Sequence, residues 1–193
     1  MAIGSPDKAT RLAQLRNYAR VQVWSGFRPI DDVRADVLEA VQEETKDDAE
    51  ATRLTEEFVS WAQSALAEAA GTWPAVTEFD RLQAAFAELA EADIVVLQAC
   101  DDHWAANDLL RSRAAGGTRP RGVVYFTHTD IWHAIDHGML ELNVWHGNSA
   151  NVAEGDVLLK EVQVTLAKHG IHSLFDEGRI EATVAWQRRP AAG

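Results

Sequence analysis

The residues best equipped for chemistry lie in one run, His128-Thr129-Asp130-Ile131-Trp132-His133-Ala134-Ile135-Asp136-His137. His133 and His137 are four apart, so on a helix both rings point the same way and reach one ion. His128 or Asp130 at the start of that helix supplies a third ligand. Three protein ligands and one open position describe a catalytic zinc, iron or manganese site, in a small metal-dependent hydrolase or oxygenase. The competing reading is structural. Asp130 caps the helix, His133 faces solvent, and His137 sits against the negative end of the helix dipole. The pair also lacks the central glutamate of a zinc-protease helix.

A second constellation is Cys100-Asp101-Asp102-His103, directly after an apolar run. His103 is a base within sequence reach of the thiol, as a cysteine nucleophile requires. Two adjacent carboxylates oppose thiolate formation, and a cysteine ending an apolar strand is commonly a small buried hydrophobe. A third is acidic. Residues 31–57 hold 11 acids against Arg34, Lys46 and Arg53, densest at Glu43, Glu44, Asp47, Asp48 and Glu50. Such a run docks a basic protein partner or simply forms a solvated helix face. Arg111, Arg113, Arg119 and Arg121 form the one basic concentration, beside Gly116-Gly117, and offer an anion site without a phosphate-loop motif. Three tryptophans, Trp104, Trp132 and Trp145, each adjoin a histidine, which suits a flat or cationic ligand or an apolar seam.

Around these residues the chain divides by character. Its 193 residues carry 18 basic and 30 acidic groups, net −12, which excludes a general nucleic-acid binder. Residues 1–93 hold 18 of the acids, whereas all seven histidines fall between His103 and His172. A single cysteine excludes a disulfide framework, and no run is apolar enough to span a membrane. The opening Met-Ala-Ile-Gly-Ser-Pro-Asp is unlike a signal peptide, so a soluble, cytoplasmic protein is expected.

The spacing predicts four helices first. Ser5-Pro6-Asp7 starts one that runs through Leu12, Leu15, Ala19 and Val23 to Gly26. Asp31 and Asp32 open another, with Val33, Val37 and Val41 as its stripe. Leu54, Phe58, Trp61 and Ala62 mark the third, and a capping box at Thr77 and Asp80 opens the fourth. The period then changes. Strands are expected over 94–99, 123–126, 139–146, 171–175 and 179–187, with a short helix in 101–113, a helix over 130–137 and another over 152–169. The expectation is a single α+β domain over 1–193, a helical half (1–92) packed on a mixed sheet of about five strands (93–190). A ligand pocket is expected between the helical half and the sheet, near the ends of strands 94–99 and 123–127.

Trp73-Pro74, Thr77, Asp80-Arg81-Leu82, Ala85-Phe86 and Leu89 resemble the signature of an uncharacterised bacterial family, a domain of unknown function of about this length. Its later parts resemble Ile94–Ala99, Tyr125–Asp130 and Gly138–Val144. The resemblance implies fold boundaries and no established activity. It also implies closely spaced cysteines after the first strand, where this chain has only Cys100. Two functions stay open. One is an acidic, non-enzymatic interaction protein, immunity- or antitoxin-like, with a basic protein partner and no cofactor. The other is a small enzyme holding one divalent metal. Tryptophans left on the sheet surface would point to a homodimer.

Overall fold

A computed structural model describes residues 7–190. The chain forms two compact units, residues 7–73 with 188–190, and residues 74–187.

The first unit is three helices, α1 (Lys8–Ser25), α2 (Ile30–Thr45) and α3 (Asp48–Ala70). Their apolar stripes meet as the sequence spacing requires. Ala19 and Val23 pack with Val33, Val37 and Val41, and with Leu54, Phe58, Val59 and Ala62 of α3. Asp7 caps α1, accepting from the Thr10 N–H at 2.8 Å, and Gly26 at φ 70° ends it. The Ser5-Pro6 start lies outside the described residues. Arg188 returns to this unit, donating to the Ser25 carbonyl and stacking on Phe27.

The second unit opens with α4 (Glu78–Glu91), so the fourth helix belongs with the sheet. Its capping box is as the sequence reads, Thr77 N–H to Asp80 at 2.8 Å and Asp80 N–H to Thr77 Oγ1 at 3.1 Å. There follow β1 (Ile94–Cys100), α5 (His103–Ala115), β2 (Gly122–Thr127), α6 (His128–His137), β3 (Met139–His146), α7 (Val157–Lys168), β4 (Ser173–Asp176) and β5 (Arg179–Thr183). The architecture is α+β, with a five-stranded mixed sheet in the order β1-β2-β3-β5-β4. β1 and β2 are parallel, joined through α5, and every other pairing is antiparallel.

Alternation along β2 assigns the two sheet faces. Val123 and Tyr125 join a cluster with Ala106 and Leu110 of α5. Phe126 points oppositely and stacks on Phe86 of α4, with the Trp186 edge 6.0 Å away. Gly122 is required where it stands, because a Cβ there would meet the Trp145 carbonyl and Leu158 at 2.6 Å. β1 breaks the alternation. Leu97 pairs with Tyr125 but Cys100 pairs with Thr127, three steps against two, so β1 carries a bulge. Ala99 sits within it at φ 52°. The extra residue turns Cys100 onto the same face as Leu97, beneath α5.

Candidate functional site

A pocket of about 360 Å³ opens where the parallel strands end. Six elements build it. The bulge delivers Asp101 and Asp102 from β1, with His103 opening α5. β2 contributes Tyr125 and Thr127, and Thr129 and Asp130 come from the first turn of α6. Asn143 of β3 and Arg179 of β5 complete it. Sheet register brings the last three strands together, since Tyr125 pairs with Asn143 and Asn143 with Arg179. Carboxyl ends of parallel strands are a usual place for ligand crevices.

The pocket is negative. Asp101, Asp102 and Asp130 stand against Arg179 alone, and Arg179 is engaged by Glu141 at 2.6 Å. That hydrogen bond holds the guanidinium charged more firmly than usual. Two of the carboxylates are also tied to helix starts, Asp102 as the cap of α5 and Asp130 as the reciprocal member of the capping box of α6. Asp102 Oδ1 accepts from Trp104 N–H at 2.8 Å and Ala105 N–H at 3.2 Å. Asp130 Oδ2 accepts from the Thr127 N–H at 2.7 Å and hydroxyl at 2.9 Å. Each leaves its other oxygen for the pocket. Asp101 reaches into solvent, its side chain 97% exposed, 3.9 Å from His128 Nε2.

Tyr125 forms the floor. It is 2% exposed, and among the described residues its hydroxyl has no hydrogen-bond partner, although it lines the pocket. Burial, then the neighbouring Cys100 and Asp130, push its ionisation upward, so the phenol remains a donor at neutral pH. At the rim, His103 lies 4.7 Å from Trp104, ring to ring, and Trp104 is 58% exposed.

Several sequence expectations are revised. Cys100 is buried, its thiol donates to the Phe126 carbonyl at 3.4 Å, and burial with the nearby carboxylates pushes it up to about 11. A neutral, covered thiol is no nucleophile at physiological pH. The metal set does not converge. Asp130 is held by Thr127 through Oδ2, and His128 leans toward Asp101. His133 and His137 lie 6.0 Å apart by ring centroid, both beside Trp132. Among the described residues no three His, Cys, Asp or Glu side chains are placed to share an ion. Asp130 is also not the cap residue of α6. Thr127 is, in a Thr-x-x-Asp pattern like that at Thr77.

The acidic run is used internally. Glu44 binds Arg11 at 2.7 Å, Asp47 caps α3, Asp48 accepts from Gln42, and Glu50 faces Lys8 at 3.7 Å. Glu43 is exposed. Trp104 and the 38%-exposed Trp132 lie on helices rather than on the sheet surface. Sequence reasoning missed Tyr125, Asn143 and Arg179, which only strand register brings together.

The model of a family described as Domain of unknown function (DUF6891) matches residues 8–190. The chain belongs to that family. No curated protein and no solved structure matches it. The DUF6891 match spans both units, bundle and sheet alike. No helix among the described residues of this DUF6891 chain is long and apolar enough to cross a membrane.

Proposed function

We propose that this chain is a non-catalytic binding protein for a basic protein partner, and that the strand-end pocket receives an arginine or lysine side chain of that partner. The carrying observation is Tyr125. Its hydroxyl has no hydrogen-bond partner among the described residues and opens into a pocket that it lines with three carboxylates, so its lone pairs are available to a donor cation. A guanidinium or ammonium group satisfies the free oxygens of Asp102 and Asp130. Asn143 and the hydroxyl orient what is attached. Exposed Trp104 and His103 at the rim provide an aromatic face for the same cation. The pocket volume suits one long side chain, and its open mouth suits a group presented by a larger surface. On this reading the acidic docking function lies at the strand ends. In the run at residues 43–50, Glu44 and Glu50 already face cations of their own bundle, and Asp47 and Asp48 hold local hydrogen bonds.

The test uses N-acetyl-arginine amide and N-acetyl-lysine amide as probes, titrated at low salt and read by tryptophan fluorescence. Saturable binding is expected, weakened about tenfold by Asp102→Asn, which keeps the helix cap but removes the charge. Tyr125→Phe removes only the hydroxyl and should weaken binding about threefold. Binding that is absent, or equal in all three proteins, refutes the reading.

A further inference from the structure

A second cleft carries the opposite charge. It holds about 260 Å³ between the last turns of α5 and the turn after β3. Arg111 and Arg119 line it, with Asn107, Asn148 and Ser149, and its lining contains no acid. In a chain with 30 acids against 18 bases, many arginines find carboxylates. Arg11, Arg28, Arg34, Arg53, Arg121 and Arg179 all do so. Among the described residues Arg111 and Arg119 have no such partner, and Asp108, one turn before Arg111, forms no ion pair with it.

The remaining polar groups are aligned as donors. The Asn148 side-chain oxygen accepts from the Ala150 N–H at 3.1 Å, which fixes the amide and leaves its nitrogen to donate. The Asn107 oxygen accepts from the Ser149 hydroxyl at 3.0 Å, leaving its nitrogen likewise. That bond ties the turn to α5. The turn is held in a demanding shape, with Ser149 at φ 68° and Gly147 packed so closely that a Cβ would fall 1.9 Å from the Pro120 carbonyl oxygen. Two guanidinium groups and two amide nitrogens around one open volume match the acceptor oxygens of a tetrahedral dianion.

We infer that the cleft formed by Arg111, Arg119, Asn107 and Asn148 binds a phosphate dianion, either free or as the phosphoryl group of a small ester. The site is independent of the cation pocket. Asp102 and Arg111 are nine residues apart on and beside α5, so the two sites are separated by about 14 Å along one helix.

The test is calorimetric titration with inorganic phosphate and with methyl phosphate at constant low chloride. Saturable one-to-one binding is expected, with Arg111→Gln and Arg119→Gln each weakening it by about tenfold. Arg119 lies in a loop, so R119Q keeps the test available even where R111Q loosens α5. Asp102→Asn, in the other pocket, should leave phosphate affinity within about twofold. Tighter methyl phosphate marks an organic ester as the natural source, and tighter inorganic phosphate marks the free anion; both support the site. Absent binding in the unaltered protein, or undiminished binding in R119Q, overturns it.

Discussion

Alkaline pH should weaken this fold through one thiol. An ordinary cysteine ionises near 9.0, whereas Cys100 is held neutral up to about 11 by burial and by the carboxylates of Asp130, Asp102 and Asp101. Below pH 9 the thiol is neutral in both folded and unfolded chains, and its packing contribution is intact. Between about 9 and 11 the unfolded chain ionises while the folded chain does not. Stability therefore falls with rising pH in that window. At about 1.4 kcal/mol per pH unit the loss reaches about 2–3 kcal/mol. The assay is urea unfolding followed by tryptophan fluorescence from pH 8 to 11, for the unaltered protein and Cys100→Ala. The variant removes one buried sulfur, so it should start about 1 kcal/mol less stable at pH 8. Its curve should then fall less steeply and end the more stable by pH 11. Tyr125 titrates in both proteins and does not create this crossing. Parallel curves across the whole range would refute the placement of Cys100 in a covered, carboxylate-flanked site.

Gly147→Ala should destabilise the protein by about 1–3 kcal/mol, because the added carbon needs the space of the Pro120 carbonyl; thermal unfolding checks this, and an unchanged Tm contradicts it. Thr77→Ala should lose about 1–2 kcal/mol, since it removes a fully buried N-cap hydroxyl bonded to the Asp80 N–H. Thr77→Ser should restore most of that loss, and chemical denaturation of both variants measures it.

The sequence was most informative where one element answers to its own periodicity. α2 was legible from Val33, Val37 and Val41, and β3 from Leu140, Leu142 and Val144, because each buries one face and the spacing records which. Thr77 and Asp80 announced α4 because a capping box is closed within four residues. The identical device at Thr127 and Asp130 was legible in principle. The histidines that follow it make Asp130 look like a cap or a metal ligand instead. α7 was expected from Val152, but Val152 is a buried loop residue and the helix starts at Val157. A buried apolar residue ahead of a helix looks the same in sequence as its first turn. The order of elements pointed to the strand ends but to a seam with the helical half, whereas the lining of the pocket comes wholly from the sheet unit. The composition of the pocket was not legible, because Tyr125, Asn143 and Arg179 meet through pairing register, and register between distant strands leaves no local trace. The bulge at Ala99 was hidden for the same reason. An extra residue in an apolar run reads as one more residue of strand.

That bulge has a consequence for how the protein behaves at high concentration. β1 forms one edge of the sheet, and Ile-Val-Val-Leu-Gln-Ala-Cys contains no charge and favours extended structure. A straight edge of this composition is a template on which further chains add as strands. The kink at Ala99 shortens the straight part to a few residues, while Asp93 and the Asp101-Asp102 pair stand at its two ends as charged guards. The carboxylates that give the pocket its sign thus also charge the end of the exposed edge, and should oppose edge-to-edge pairing of copies. Acid strong enough to neutralise them should turn the same edge into a seed for fibrils.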